Sequence, residues 1–169
     1  AISGMARLLN ALLDISKLEA GVIKPEPTDF AVSQLFEELR AEFATIAASK
    51  GLMLEVDRCR DTVHSDPTLV EEILRNLLSN AIKYTRAGMV QLRCLHEPSL
   101  IRLEVLDTGI GIPADELPRI SDEFYQVGVA SNSTRDGYGL GLSIVQRLVK
   151  LLSLRLDVRS EVGKGSAFS

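Results

Sequence analysis

Residues 71–85 read EEILRNLLSNAIKYT, and no other stretch restricts the fold of this chain as tightly. Asn76, Asn80, Lys83 and Tyr84 recur at helical spacing and share one face, while Ile73, Leu74, Leu77, Leu78 and Ala81 fill the opposite one. The pattern predicts an amphipathic helix with its apolar face in a core. A solvated face normally carries Glu, Lys and Gln, whereas this one carries two carboxamides, an ammonium group and a phenol. Carboxamide oxygens suit a hard cation such as Mg²⁺, and an ammonium group acts as a point charge toward phosphate oxygens. The stripe thus points to a phosphate and metal site; the alternative is a helix face that is merely polar.

Three glycine-rich segments follow. Asp107-Thr108-Gly109-Ile110-Gly111-Ile112-Pro113 comes directly after the strand-like run 100–106, and Gly137-Tyr138-Gly139-Leu140-Gly141-Leu142 opens an amphipathic helix over 143–152. Gly163-Lys164-Gly165-Ser166 sits near the end. In order, spacing and flanking residues these segments and the asparagine helix resemble the N, G1, F, G2 and G3 boxes of the catalytic domain of sensor histidine kinases, within the wider Bergerat-fold ATPases. The resemblance extends over essentially the whole chain. It implies an α/β fold, a two-layer α/β sandwich, preceded by a helix from a dimerisation bundle.

Composition is compatible with this. At 169 residues and 46% apolar content the chain can build one sizeable core with a helical appendage. A formal charge of -4 with mixed signs argues against a nucleic-acid footprint. Apolar runs are short and broken by charge, so no transmembrane span is expected, and the resemblance implies a cytoplasmic domain whose parent can be membrane-bound. Cys59 and Cys94 belong to no CxxC and have no nearby His pair, which predicts small core or strand residues in a reducing compartment. The chain begins without Met and stops inside a strand-like run, as an excised fragment would.

Residues 2–20 place Ile2, Met5, Leu9 and Leu12 at 3-4-3 spacing, and Leu8, Leu13, Ile15 and Leu18 widen the stripe beyond what one partner surface covers. Such a helix belongs in a bundle, with Gly21 as its stop. Residues 13–21 resemble the end of the second helix of the dimerisation and histidine-phosphotransfer hairpin, so 1–21 are assigned to that hairpin. Pro25 and Pro27 mark 22–28 as an extended linker, and 29–169 as the catalytic domain. A helix is expected over 30–50, with Asp29 as N-cap and Val32, Leu35, Phe36, Leu39, Phe43 and Ile46 buried. Strands are expected at 52–56, 89–97, 100–106, 155–159 and 165–169. Asp66-Pro67 is a start signal for the asparagine helix. Alternation from Ile101 through Leu103 and Val105 turns Asp107 inward. The Ser-, Asn- and Gly-rich run 128–137 has the composition of a lid.

The resemblance assigns roles residue by residue. It implies ATP and Mg²⁺ as cofactors, the Asn80 carbonyl oxygen as metal ligand and Asn76 as its support one turn earlier. Lys83 is expected to meet phosphate oxygens and Tyr84 to close the side of the pocket. Asp107 is expected to accept a hydrogen bond from the exocyclic amine of adenine, with Gly109 and Gly111 letting backbone approach the base without a Cβ. Gly137, Gly139 and Gly141 give a tight course into the helix beginning near Leu140, whose N-terminal N–H groups form an anion site. Arg135 is expected either to reach the γ-phosphate when the lid closes or to stand as a solvated loop arginine, and the resemblance implies that Ser166 contributes a hydroxyl near adenine through water. A dinucleotide fingerprint fails, because G-x-G-x-G follows a loop here; a P-loop fails because Gly165 separates Lys164 from Ser166.

Two departures matter. The F box reads Ile120-Ser121-Asp122-Glu123-Phe124, with Ser121 in place of an aromatic that packs the lid. The phosphoacceptor is missing: His64 precedes Ser65-Asp66 and His96 precedes Glu97-Pro98 at a strand end, and neither lies on a bundle helix. The implied reaction is transfer of the ATP γ-phosphoryl group to a histidine on a dimerisation helix absent from this chain, with a response regulator downstream and a homodimeric parent. Hydrolytic members carry a glutamate where this chain has Asn76, which favours a kinase. The rivals are a hydrolytic ATPase using Glu72 as base, and a non-catalytic nucleotide-binding module.

Overall fold

The computed structural model describes residues 2–122 and 140–169. Arg135, Gly137, Gly139, Phe124 and the run 128–137 lie outside the described residues. The first helix, α1 (Ile2–Glu19), ends as expected: Gly21 adopts φ 68°, and the Val22 N–H donates to the Lys17 carbonyl at 3.1 Å. Its wide apolar circumference divides into two faces. Leu8, Ala11, Ile15 and Leu18 pack on the core, whereas Met5, Leu9, Leu12 and Leu13 remain exposed.

The expected linker is shorter than 22–28, and the helix after it starts later than residue 30. Thr28–Ala31 forms a strand, β1, paired antiparallel with β3 (Thr62–Ser65). Asp29 therefore caps nothing; its carboxylate meets His64 Nδ1 at 2.7 Å across the strand pair. The helix α2 (Val32–Ser49) takes its first donor's partner from tertiary structure instead, the Val32 N–H donating to the Asp61 carbonyl at 3.0 Å. Its buried stripe runs Val32, Leu35, Phe36, Leu39, Phe43 and Ala47. Ile46, expected inside, is exposed because the 39–43–47 row continues the face by fours.

Asp66 caps the asparagine helix α3 (Pro67–Tyr84), accepting from the Leu69 N–H at 3.1 Å, with Pro67 in its first turn. All of Ile73, Leu74, Leu77, Leu78 and Ala81 are buried. At its far end the Lys50 ammonium, just past α2, donates to the carbonyls of Ile82 and Lys83, satisfying groups that a helix end leaves open.

The main sheet holds β2 (Met53–Val56), β4 (Met89–Glu97), β5 (Leu100–Asp107), β6 (Val158–Glu161) and β7 (Gly165–Phe168), in the order β2-β4-β5-β7-β6. Only β2 and β4 run parallel; the other pairs are antiparallel. Val90, Leu92 and Val105 join α2, α3 and the last helix, α4 (Gly141–Leu151), in one core. The opposite face of the sheet carries a device no periodicity announces. Glu104 is fully buried there, its carboxylate held by Arg93 at 3.1 Å and Arg159 at 3.0 Å. Cys59 and Cys94 also depart from expectation: they are paired with each other, Cα atoms 6.0 Å apart. No described helix is long and apolar enough to cross a membrane.

Candidate functional site

Helix α3 lies under the sheet with its polar stripe half-buried, since Asn76, Asn80, Lys83 and Tyr84 are neither core nor free surface. The Asn76 NH₂ donates to the Glu72 carbonyl one turn back at 2.9 Å, which fixes the amide and turns its oxygen away from its own helix. What that oxygen faces is the start of α4. A Cβ built on Gly141 would stand 3.2 Å from Asn76 Oδ1 and 3.7 Å from Asn80 Oδ1. Leu140 provides no capping side chain, so among the described residues the N–H groups of the opening turn of α4 have no side-chain cap. Two carboxamides and a helix N-terminus thus converge, a combination of oxygen donors for a cation and N–H donors for an anion. Lys83 adds positive charge one turn on, its Nζ 5.1 Å from the centre of the Tyr84 ring. Burial raises the Tyr84 phenol pKa and keeps it neutral.

The other end of the cleft is built on Asp107, the last residue of β5, which is buried as the alternation requires. Its Oδ1 accepts from the Gly109 N–H at 2.9 Å and from the Ser166 N–H at 3.3 Å. Among the described residues both bonds fall on one oxygen, leaving Oδ2 for a further donor. Burial pushes the carboxyl above the ordinary aspartate range, and the two backbone donors pull it part of the way back.

The glycines of this loop are required by the protein's own packing. A Cβ on Gly109 would run into the Tyr84 carbonyl, and one on Gly111, at φ 71°, into the backbone of Glu161. They allow the protein's own strands and helix end to close on one another, which in turn sets the position of Asp107. Ser166 sits beside Asp107, and its hydroxyl pairs with Ser160 Oγ at 2.7 Å. The structure thus brings together Asn76, Asn80, Lys83, Tyr84, Leu140 and Gly141 on one side, and Asp107, Gly109, Gly111 and Ser166 on the other. His64 and His96 both stand on strands, away from any helix.

A sequence profile described as histidine kinase-, DNA gyrase B-, and HSP90-like ATPase matches residues 65–169, which include both ends of this cleft. The chain belongs to that family.

Within it, the chain is 33% identical over 168 residues to the sensor histidine kinase RcsC of Escherichia coli (strain K12), covering 98% of this chain and 18% of RcsC. It is 34% identical over 172 residues to the autoinducer 2 sensor kinase/phosphatase LuxQ of Vibrio vulnificus (strain YJ016), covering 95% of this chain and 20% of LuxQ. It thus spans about a fifth of the length of these curated relatives. Among solved structures it is similar to full-length ShkA in complex with AMPPNP, with TM-score 0.85 and 30% identity over 97% of this chain and 34% of ShkA. The fold is also that of the Acinetobacter baumannii histidine kinase AdeS, with TM-score 0.80.

Two residues that hold this family site together were not singled out from the sequence. Thr85, fully buried, ends α3 by donating from Oγ1 to the Ala81 carbonyl at 2.7 Å and lines the Gly109 pocket. Ser160 ties the loops together, accepting from the Ile112 N–H at 2.7 Å and donating to the Gly165 carbonyl at 3.1 Å. A threonine just past a helix and a serine inside a four-residue strand carry no signal of their own; only the pairing of distant segments gives them a role.

Proposed function

We propose that residues 29–169 are the ATP-binding catalytic domain of a sensor histidine kinase, and that residues 1–21 are the end of its dimerisation and phosphotransfer hairpin, joined through 22–28. The observation that carries this reading is the contact of Gly141 with the carboxamides of Asn76 and Asn80. It supports a phosphate-binding helix start beside metal-binding oxygens, while the Asp107 loop, which reaches the Tyr84 end of α3 at Gly109, offers an inward carboxylate suited to adenine.

Asp107 Oδ2 accepts from the adenine amine, which guanine lacks at that place, and so selects ATP. The opening turn of α4 holds the phosphates by its N–H groups, with Lys83 and Arg135 neutralising charge. The donor set fits Mg²⁺: Asn80 would ligate it, and Asn76 would orient Asn80 and bound water, neutral amides adding no repulsion toward a triphosphate. When bound, the ion would supply Lewis-acid stabilisation of the negative charge on the transferring group. The nucleophile is an imidazole nitrogen of a histidine on a separate helix, neutral near pH 7. The exposed face of α1, with Met5, Leu9, Leu12 and Leu13, supports a bundle with a second copy in the parent. A response regulator is the next acceptor.

The hydrolytic rival is less well supported. Glu72 has a raised pKa, from burial and from the Asp14 carboxylate on α1, opposed by Arg75. Its carboxylate therefore lies toward α1 and its backbone toward Asn76, while the position nearest α4 is an amide that cannot take a proton usefully. Incubating the chain with γ-labelled ATP and Mg²⁺, alone and with a supplied hairpin carrying the acceptor histidine, tests the proposal. We expect label only on the hairpin, as an acid-labile phosphoramidate. Rapid phosphate release without the hairpin would mean a hydrolase, and acid-stable label on the isolated chain would displace the acceptor assignment.

A further inference from the structure

At the other end of the β4–β5 hairpin from Asp107 lies a second cluster of reactive side chains. Asp107 pairs with Val90, whereas Cys94 pairs with Leu103 and His96 with Ile101. Six residues of strand, about 20 Å, thus separate Val90 from His96. Cys94 and His96 stand two apart on β4 and share one side of it. Facing them is the segment between β2 and β3, anchored by the Asp57 carboxylate, which accepts from the Cys94 N–H at 3.1 Å. That segment carries Cys59 and Asp61, again two apart.

Three of these side chains, Cys59, Asp61 and Cys94, converge on one point, and His96 meets them through Asp61. From Asp61 Oδ2 the distances are 3.1 Å to Cys59 Sγ, 3.9 Å to Cys94 Sγ and 2.6 Å to His96 Nε2. The ligand atoms of Cys59, Asp61 and Cys94 all lie within 4.8 Å of one another. Cys59 is 2% exposed, Cys94 is half-buried, the Asp61 side chain is 29% exposed and the His96 side chain 64%, so the Cys59 sulfur is inside and the imidazole is at the mouth. Such a pocket is shielded at its base and open to an ion from one side.

We propose that the reduced Cys59/Cys94 pair, with Asp61 and His96, binds one thiophilic divalent cation, Zn²⁺ by preference. A disulfide alone has no use for a carboxylate and an imidazole against it. Two thiolates and a carboxylate crowded together repel one another, and a cation resolves that repulsion. Mixed sulfur, nitrogen and oxygen donors exclude Mg²⁺ and Ca²⁺, which take oxygen, and match the tetrahedral sets of zinc. With bonds of about 2.0–2.3 Å, tetrahedral ligands stand roughly 3.3–3.8 Å apart; the three separations from Asp61 Oδ2 straddle that range, and reduction frees the two sulfurs to move apart into it. The chemistry balances simply. A thiol reductant gives two electrons and two protons to the Cys59–Cys94 bond and leaves as its own disulfide; the cation then displaces both thiol protons to solvent. Bound, it would clamp β4 to the 57–61 segment at a place remote from the nucleotide.

The test is a Co²⁺ titration of the tag-free chain under a phosphine reductant, followed by Zn²⁺ competition against a chromogenic chelator. We expect one equivalent of Co²⁺ to give a near-ultraviolet thiolate-to-cobalt band with the intense visible bands of a four-coordinate ion, both erased by Zn²⁺. The Cys59→Ser/Cys94→Ser variant loses the band. Asp61→Asn and His96→Ala weaken Zn²⁺ by more than the roughly 10–100-fold that losing an outer-shell partner costs, while ADP affinity stays at the wild-type value. A wild-type Co²⁺ spectrum without the charge-transfer band would overturn the proposal without recourse to any variant. Undiminished Zn²⁺ affinity in the double serine variant would do the same.

Discussion

Asp107→Asn replaces one carboxylate oxygen by an amide nitrogen at a place where the backbone dictates which way the side chain must turn. Oδ1 accepts from Gly109 at 2.9 Å and Ser166 at 3.3 Å, so the asparagine keeps its carbonyl there; the reverse orientation would set NH₂ against two N–H donors. The new NH₂ then takes the place of Oδ2 and meets the adenine amine donor to donor. Loss of a hydrogen bond to a charged acceptor costs about 1.5–3 kcal/mol, and an unsatisfied donor adds about 1–3 kcal/mol. Partial relaxation leaves about 3 kcal/mol, on the order of 100-fold in affinity. The fold should respond in the opposite sense. Because burial raises the folded pKa of Asp107, the ionised carboxylate is less favourable in the folded than in the unfolded chain at neutral pH. A neutral amide that retains both N–H bonds removes that cost, so the nucleotide-free variant unfolds at the same or a higher temperature. Calorimetric titration with ADP and Mg²⁺, paired with scanning calorimetry of the apo chain, reads both effects. ADP affinity within about threefold of wild type, or a clear drop in Tm, would refute the reasoning.

The same carboxyl gives a pH signature. Its raised pKa means that protonation, and with it the loss of the adenine acceptor, begins at higher pH than for an ordinary aspartate as the solution is acidified. ADP affinity measured over a pH series should fall on that acid limb in wild type, and Asp107→Asn should flatten it. Asn80→Ala removes a metal ligand but leaves the adenine end intact, so phosphotransfer to a supplied hairpin should fall by well over tenfold while Mg²⁺-free ADP binding changes little. Glu104→Gln places an amide NH₂ against one of two arginines and should cost about 2–3 kcal/mol in urea unfolding. The cost stays below that of breaking a fully buried pair because Arg159 is 77% exposed and can return to water.

Helix α3 was legible because its signal is local. Period, cap and proline all fall within the nineteen residues from Asp66 to Tyr84, and each points to the same element. Asp107 was legible for the same reason, through alternation along one strand. β1 was not, because four residues acquire strand character only by pairing with Thr62–Ser65, more than thirty positions on. Asp29, a good N-cap by type, is used across that pair instead. Cys59 and Cys94 looked solitary because their companions, Asp61 and His96, are each two residues from one cysteine and thirty-five from each other. The inward Glu104 contradicts every burial rule until Arg93 is brought to it from the adjacent β4 and Arg159 from β6, one strand beyond β7.

Ser166 donates to a carboxylate 59 residues earlier in the chain, and Gly165 has no Cβ because one would strike the Asp107 carbonyl. During synthesis at about 5–20 residues per second, roughly 3–12 s pass between the making of the acceptor and the making of its last donor. Through that interval β5 is a bare sheet edge on the side that β7 will occupy, open to pairing with a neighbouring nascent chain. Nucleotide cannot shield it, because the pocket that would bind nucleotide is finished by the same strand. The growing polypeptide is most vulnerable just before it becomes able to hold ATP, and that is the stage at which a chaperone would act on it.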